Sequence, residues 1–316
     1  MFSGTSAERC TRPCRAPPHV GRWRGTARPV RAAHLASEAL AFADARDGCV
    51  DLIERFGLLP TRVMCRLLGV PDVDVATFGD WLDDLSPVFS MMTPDQILAA
   101  ERALVELLNY VDLLTMQRRT SPGPDLITAL LAAEDGGEKL THDEVVRMVA
   151  NLLVAGHDTT GSQLGCSLLV VLLNMREALR ATTRPSLIGS VVSETTRMEP
   201  SIAFIPRTTL ASSQIEGHEI PAGSVLMLSS ATANRDPATW EDPDRFHAGR
   251  FVEPGVPNVL AFGAGPHYCL GAALARLTLE ESLRAVLKVD GWYQITEPAS
   301  ESRGESCSAG RRNACS

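Results

Sequence analysis

A glycine-rich loop with one cysteine near its exit constrains this sequence more than any other feature. The loop is the run Phe262-Gly263-Ala264-Gly265-Pro266-His267-Tyr268-Cys269-Leu270-Gly271, and a helical pattern begins directly after it. A helix N-terminus carries partial positive charge and unpaired N–H groups, so it stabilises negative charge on a sulfur placed there. Cys269 is therefore a candidate nucleophile or a single metal ligand.

The residues around Cys269 favour a large, flat ligand. Gly263, Gly265 and Gly271 have no Cβ, so the backbone can approach such a ligand closely, and Phe262 offers an apolar wall to the sulfur. Zinc requires four ligands, and no second cysteine lies nearby in the sequence. Haem iron needs only one axial cysteine. The loop therefore fits haem better than zinc.

The loop resembles the cysteine motif F-G-x-G-x-H-x-C-x-G of the cytochromes P-450, the haem-thiolate monooxygenases, here of the soluble bacterial type. Three further motifs of that family occur upstream, in the family's order. They are Ala155-Gly156-His157-Asp158-Thr159 for A-G-x-[DE]-T, Glu194-Thr195-Thr196-Arg197 for E-x-x-R, and Ala233-Asn234-Arg235-Asp236-Pro237 with Asp242-Pro243-Asp244-Arg245-Phe246 ahead of the loop. The resemblance covers residues 50–288, and four motifs in this order are highly specific.

The resemblance implies a bound haem b (iron protoporphyrin IX). Cys269 would be its axial iron ligand, and the residues that match the family's haem contacts are Arg207, His267, Phe262, Gly263 and Gly271. Arg207 and His267 would pair with the haem propionates. The alternative for each of these two is an ordinary surface residue.

The resemblance also assigns roles within the long apolar helix. Ala155 and Gly156 would leave a groove for dioxygen, and Thr159 with Asp158 would relay protons to the bound oxygen. A helix interior is a costly place for an acid and a hydroxyl, although a threonine there can bond back to a carbonyl. The alternative is a solvent-facing polar patch. His157 is interpreted as structural, because the family varies at that position.

Two further sets of residues complete the site that the resemblance implies. Glu194 and Arg197 share a helix face and would form a buried structural triad with Arg245, for which Arg250 is an alternative third partner. The alternative for Glu194 and Arg197 is an exposed pair of little energetic value. The apolar substrate side of the haem would be lined by Ile202, Ala203, Phe204, Leu152 and Ala155.

Composition bounds the remaining possibilities. The chain has 316 residues and a net charge of −8, yet residues 1–31 carry +6 and the remainder −14. An acidic body gives no indication of nucleic-acid binding. The eight cysteines show no zinc or disulfide spacing, which indicates a reducing, cytoplasmic compartment. We expect no membrane span, because the longest apolar run is interrupted by polar residues at 156–161.

The predicted fold is mainly α with a small β region: a cytochrome P-450 fold that lacks much of its N-terminal lobe. We expect residues 1–31 to be a basic, irregular segment, 32–290 to form the core, and 291–316 to be a disordered tail. We interpret both ends as truncated or frame-shifted, and an Arg-rich transit peptide is the alternative for the front segment. The core contains an oxygen-binding helix at 141–175, the E-x-x-R helix at 187–198 and the haem-thiolate loop at 262–271. Other predicted helices span 47–70, 94–119, 125–133 and 271–288, and predicted strands span 202–209, 214–220 and 225–229.

The expected function is haem-dependent insertion of one oxygen atom of O₂ into an apolar organic substrate by a monomeric protein. Electrons would come from NAD(P)H through a ferredoxin or flavoprotein partner. One alternative is a non-catalytic truncated remnant with weak or absent haem binding. Another is a hydrolase that uses Cys269 and His267, although no third orienting group is evident. The sequence does not indicate which substrate is oxidised.

Overall fold

A computed structural model describes residues 52–89, 92–135 and 138–288. The predicted end segments 1–31 and 291–316 lie outside these residues. The helices are α1 (Leu52–Gly57), α2 (Leu59–Leu68), α3 (Val75–Leu85), α4 (Pro94–Thr120), α5 (Leu126–Ala132), α6 (His142–Leu173), α7 (Met175–Ala178), α8 (Arg180–Thr183), α9 (Ile188–Met198), α10 (Ser230–Ala233) and α11 (Ala272–Leu287).

Strands in the described residues occur only as short antiparallel pairs, which confirms the mainly helical class with a small β region. The strands are β1 (Glu134–Asp135), β2 (Glu138–Lys139), β3 (Phe204–Thr208), β4 (Ser213–Ile215), β5 (His218–Ile220) and β6 (Val225–Ser229). β1 pairs with β2, β3 with β6, and β4 with β5.

Local sequence signals explain where several helices begin. Thr93 caps α4 by accepting a hydrogen bond from the Gln96 N–H, and the Gln96 side chain accepts one from the Thr93 N–H. Asp125 accepts from the Thr128 N–H at 2.9 Å and begins α5. A reciprocal pair between Thr141 and Glu144 precedes the body of α6. Polar caps therefore begin these helices at the predicted positions.

The predicted helix 47–70 is wrong as a single element within its described part. The chain forms α1 and α2, separated at Leu58. Pro60 lies in the first turn of α2, where its missing N–H costs nothing, so the helix restarts there. Gly69, with φ of 76°, ends α2 in the left-handed conformation just before Pro71.

The structure divides into two compact units. One contains the described residues from 52 to Gly165 together with Ala273–Val286, and the other contains Cys166–Ala272 and the last two described residues, 287–288. In the first unit, five successive helices, α2 to α6, each supply a fully buried side chain to one apolar core: Leu68, Phe78, Leu107, Ile127 and Leu153. Burial of such side chains contributes roughly 1.5–3 kcal/mol each.

The second unit contains the buried helix α9 and two strand pairs. β3 and β6 run in register from Phe204 opposite Ser229 to Thr208 opposite Val225. The predicted strand 214–220 is wrong, because it folds back on itself as the hairpin β4–β5. Its two-residue turn, Glu216 and Gly217, has positive φ at both positions (48° and 83°), as a type I′ turn requires.

No helix in the described ranges is long and apolar enough to cross a membrane.

Candidate functional site

The cysteine loop is closed on itself by backbone hydrogen bonds. The Cys269 N–H donates to the Phe262 carbonyl at 2.9 Å, and the Tyr268 N–H donates to the Gly265 carbonyl at 3.1 Å. The Ala272 N–H then donates to the Cys269 carbonyl at 3.3 Å, where α11 begins. These bonds hold Cys269 directly ahead of a helix N-terminus, as the sequence predicts.

Two glycines of the loop occupy conformations that other residues avoid. Gly263 has φ of 71° and ψ of −167°, and Gly265 has φ of 75°. A residue with a Cβ would be strained at either position. At Gly271 an added Cβ would lie 4.0 Å from Cys269 Sγ, at ordinary contact distance. The glycines therefore serve the loop's path and leave space beside the sulfur.

The three described cysteines differ sharply in accessibility. Cys269 is exposed, Cys166 is intermediate and Cys65 is buried. Burial, and to a lesser extent the charges of Asp72 and Asp74, raise the pKa of the Cys65 thiol to about 12. No hydrogen bond within the described part of the chain reaches Cys269 Sγ. Of these three, Cys269 alone offers an accessible sulfur in a preformed loop.

The Glu194–Arg197 pair is completely buried. Arg197 Nε and Nη2 lie 2.8 and 2.9 Å from the two carboxylate oxygens of Glu194, in a bidentate arrangement, and both side chains have 0% exposure. The Arg197 guanidinium also stacks on the Trp240 ring, 5.4 Å from its centroid. The alternative of a superficial, exposed pair is wrong.

The third member of this cluster is Arg250, so the prediction of Arg245 is wrong. Arg250 Nε lies 3.1 Å from both carboxylate oxygens of Glu194. The Arg245 side chain is 79% exposed, and it lies near Asp242 instead. The carbonyls of Glu241, Asp242 and Arg245 accept hydrogen bonds from Arg250. Arg245 therefore contributes its backbone to the cluster and not its charge.

The buried pair is connected to the cysteine loop through Asn234. Arg197 Nη1 donates to the Asn234 carbonyl at 2.9 Å. The Asn234 side-chain oxygen accepts from the Leu260 N–H at 2.9 Å, two residues before Phe262. Asn234 is fully buried, so this is a rigid route from the E-x-x-R helix to the loop. The sequence analysis missed this role, although the residue lies within a motif that it singled out.

The proposed dioxygen residues lie in the middle of α6. The Thr159 hydroxyl donates to the Ala155 carbonyl at 2.7 Å, the back-bonding expected of a threonine inside a helix. Asp158 is half-buried; burial is the main cause that raises the pKa of its carboxyl group, against the opposing effects of His157 and a hydrogen bond to Ser162. Their catalytic roles stay predictions.

Gly156 lies where α2 crosses α6. A Cβ added at Gly156 would lie 3.1 Å from Met64 Cγ and Sδ, so a larger residue would require the methionine to move. The absence of a side chain therefore permits close helix packing in this structure. The dioxygen groove that the resemblance assigns to Gly156 and Ala155 stays a prediction.

The predicted propionate partners, Arg207 and His267, are both exposed. Arg207 donates only to the neighbouring Pro206 carbonyl among the described residues. Within the same residues, His267 forms no hydrogen bond with Cys269, so the pairing that a Cys–His hydrolase requires is not formed. Both side chains are accessible for the anionic edge of a ligand, and their role stays a prediction.

The β3–β6 pair presents apolar side chains to its surroundings. Phe204 is 55% exposed, and Ile202, Met227 and Leu228 are also exposed. Exposed apolar side chains on adjacent strands are a feature of ligand-binding surfaces. Of the other predicted lining residues, Leu152 is intermediate and Ala155 is exposed.

The residues present fit a haem group. An accessible thiol ahead of a helix matches an iron centre, and the loop glycines without Cβ atoms match a flat ring. The exposed apolar strands match the ring's apolar faces, and two accessible basic side chains match its carboxylates. In the described ranges, no group of three or more His, Cys, Asp or Glu side chains could hold a metal ion. Haem iron is held by the nitrogens of its own porphyrin ring, so it does not need a cluster of three or more protein ligands.

Comparison with known proteins identifies relatives along most of the chain. The family model described as Cytochrome P450 matches residues 77–183 and 182–289. A cytochrome P450 of Xylella fastidiosa is 37% identical over 242 residues, which cover 76% of this chain and 60% of the relative. The vitamin D(3) 25-hydroxylase of Pseudonocardia autotrophica is 37% identical over 236 residues, 73% of this chain and 56% of the relative. The chain thus spans less than two thirds of the length of these relatives.

Solved structures give the same result for the fold. The ligand-free structure of cytochrome P450 TbtJ1 matches with a TM-score of 0.76 at 31% identity, over 85% of this chain and 73% of that one. Cytochrome P450 PksS of the Bacillus subtilis bacillaene polyketide synthase matches with a TM-score of 0.75 at 28% identity, over 86% of this chain and 67% of that one.

Proposed function

The chain belongs to the cytochrome P450 family, and on that basis we propose that it takes part in haem-dependent monooxygenation of an apolar organic substrate. One oxygen atom of O₂ would enter the substrate and the other would leave as water. The observation that carries this proposal is the closed loop that presents the accessible Cys269 ahead of α11.

Cys269 would hold the haem through its sulfur. Bound haem supplies the activation of dioxygen, which amino-acid side chains lack. The loop's backbone hydrogen bonds keep the sulfur in place, so little ordering is required when the ligand binds. Arg207 and His267 would pair with the propionates, and the network from Glu194 through Asn234 to Leu260 would hold the loop in position.

Asp158 and Thr159 would donate and accept protons during the reaction. Burial raises the pKa of Asp158, so this carboxyl group holds its proton more tightly than an exposed one, as suits a group that would donate a proton. The Thr159 hydroxyl donates its proton to the Ala155 carbonyl, and a hydroxyl oxygen is by its chemistry also an acceptor. Asp158 and Thr159 lie about one helical turn after the groove residues Ala155 and Gly156. From there they would accept and release protons next to the bound dioxygen.

The substrate class rests on the exposed apolar strands. Ile202 and Phe204 would meet a substrate that is mainly apolar, because burying their exposed surface is favourable. Relatives are named as a vitamin D(3) 25-hydroxylase and a mycinamicin IV hydroxylase/epoxidase. For this chain we propose an apolar organic molecule, oxidised with electrons that a ferredoxin or flavoprotein takes from NAD(P)H. We also propose that the protein acts as a monomer.

A carbon monoxide difference spectrum tests the proposal. The full 316-residue protein, loaded with haem, is reduced and exposed to CO. We expect the red-shifted Soret band of a thiolate-ligated haem, lost in Cys269→Ala and kept in Cys166→Ala. Absence of the band in the parent protein would favour a remnant without haem binding. Loss of the band in Cys166→Ala with retention in Cys269→Ala would overturn the ligand assignment.

A further inference from the structure

The middle of α6 has little intrinsic helical stability. The run 155–161 contains two glycines and two threonines, which are poor helix formers. In addition, the Thr159 hydroxyl bonds to the Ala155 carbonyl, where it competes with the helical N–H. The turn that carries Asp158 and Thr159 therefore depends on support from other parts of the fold.

His157 connects this turn to two other helices. Its side chain is only 8% exposed, and both ring nitrogens have partners. Nδ1 lies 2.5 Å from Thr61 Oγ1 of α2, and Nε2 lies 3.1 Å from Asp83 Oδ1 of α3. His157 lies 96 positions after Thr61 and 74 positions after Asp83, so both contacts depend on the tertiary fold.

A single tautomer of the imidazole satisfies both ring nitrogens and both of their partners. In the tautomer with its proton on Nε2, the Nε2–H donates to the Asp83 carboxylate, which can only accept, and the Thr61 hydroxyl donates to Nδ1. Thr61 is fully buried, so loss of the histidine would leave its hydroxyl without a partner away from water. Asp83 is half-exposed and supplies a charged acceptor, which strengthens the bond.

Close packing beside His157 reinforces the connection. Met64, one turn after Thr61 on α2, fills the space next to Gly156. Helix α2 therefore contacts two consecutive residues of α6, by a hydrogen bond at His157 and by packing at Gly156. Such contacts define both the rotation and the axial position of this turn.

We propose that His157 is a positioning residue that clamps the central turn of α6 to α2 and α3 and thereby holds Asp158 and Thr159 in place. His157 would not touch the reacting atoms. It would act through Asp158 and Thr159, the next two residues in the chain. The catalytic consequence rests on the proposed monooxygenase function, whereas the clamp itself is a property of the folded chain. The histidine thus has a specific task at a position that the sequence analysis left as merely structural.

Hydrogen exchange of the 316-residue protein, followed by mass spectrometry, tests the clamp without reference to haem. In His157→Leu we expect amides of residues 156–161 to exchange about tenfold faster, because local opening no longer breaks the side-chain hydrogen bonds to Thr61 and Asp83. Asp83→Ala, at a half-exposed position, should fold and give a smaller increase in the same peptide. In the double variant, Asp83→Ala should add nothing to His157→Leu.

A matched pair at the start of the same helix provides the control. His142 Nε2 lies 2.5 Å from Asp112 Oδ1, so His142→Leu and Asp112→Ala remove similar chemistry. We expect faster exchange only in the first turn of α6 for these variants. Unchanged exchange at 156–161 in both His157→Leu and Asp83→Ala would overturn the clamp, as would equal acceleration of the whole helix.

The haem-loaded protein tests the positioning role. His157→Leu and Asp83→Ala should release more hydrogen peroxide per NAD(P)H consumed, whereas His142→Leu should not. A rise in exchange without a rise in peroxide would overturn the link to Asp158 and Thr159. If the parent protein shows no CO band, the proposed function fails, and the exchange experiment still decides the clamp.

Discussion

Arg250 Nε lies 3.1 Å from both carboxylate oxygens of the buried Glu194, 56 residues earlier in the chain. Glu194 therefore accepts hydrogen bonds from two arginines, since Arg197 binds the same carboxylate from one turn away. The His247 N–H adds a further bond at 3.0 Å. This carboxylate is the point at which helix α9 and the segment leading to the cysteine loop are joined.

Arg250→Ala should strongly destabilise the protein. It leaves a buried carboxylate with one of its two cationic partners and frees three backbone carbonyls, at an expected cost of about 3–5 kcal/mol in the free energy of unfolding. Arg245→Ala is the matched control, because that side chain is exposed, and it should change stability by less than about 0.5 kcal/mol. Urea unfolding measures both. Equal effects of the two substitutions would contradict the assignment.

Asn234→Ala should loosen the cysteine loop. The change removes the acceptor of the Leu260 N–H, which costs about 1–3 kcal/mol when the group stays buried. We expect faster haem loss to apomyoglobin than from the parent protein. Asn174→Ala is the control, because the Asn174 side chain donates to the Val170 carbonyl at the end of its own helix. Equal rates of haem loss from Asn234→Ala and Asn174→Ala would show that the route through Asn234 does not hold the loop.

The sequence predicts most helices because caps and apolar periodicity are local signals. It predicts α4, α6 and α9 to within two residues at either end, since Thr93 and Thr141 directly precede α4 and α6 and the apolar spacing lies within the helices. It does not predict the hairpin within 214–220, because two short strands with a compact turn match one longer β-rich run. Glu216 occupies a left-handed conformation that its residue type does not signal.

For the site, the cysteine loop is predictable because its motif is contiguous, but tertiary partners are not. Arg245 and Arg250 are both arginines near the same segment, and only the fold shows which one points at Glu194. Likewise, nothing local indicates that His157 meets Thr61 and Asp83, which come from helices far away in sequence. Such contacts depend on the assembled core and not on spacing.

Alkylation should separate the described cysteines. Cys269 is exposed, whereas burial raises the pKa of the Cys65 thiol to about 12. At pH 8 a thiol with that pKa is only about one part in ten thousand thiolate, the reactive form. Iodoacetamide should therefore label the Cys269 peptide rapidly in the haem-free protein, and bound haem should protect it. Mass spectrometry of digested protein measures both rates, and faster labelling at Cys65 would refute the burial argument.

Asp158→Asn should change the pH dependence of stability. Burial raises the folded-state pKa of Asp158, so the folded chain binds a proton more tightly than the unfolded chain. Its stabilising contribution is complete below the unfolded pKa and is lost as pH rises through the folded pKa. Asparagine cannot ionise, so the variant should gain stability relative to the parent across this window. Urea unfolding from pH 4 upward tests the sign. If the stability gained by Asp158→Asn over the parent shrank as pH rose, the prediction would be contradicted.

Thr159→Ala should leave haem binding intact but uncouple electron use from product formation. We expect the CO difference spectrum to stay unchanged, because the Thr159 hydroxyl bonds back to the Ala155 carbonyl of its own helix. A proton-relay group matters only after oxygen binds, and its loss typically lowers such a step about 10²–10⁴-fold. Peroxide release per NAD(P)H should therefore rise as product yield falls.

Thr159→Ser, which keeps the hydroxyl, should restore much of the coupling, and Thr160→Ala, at the next position, should resemble the parent. If Thr159→Ala leaks no more peroxide than Thr160→Ala, the hydroxyl has no part in proton delivery.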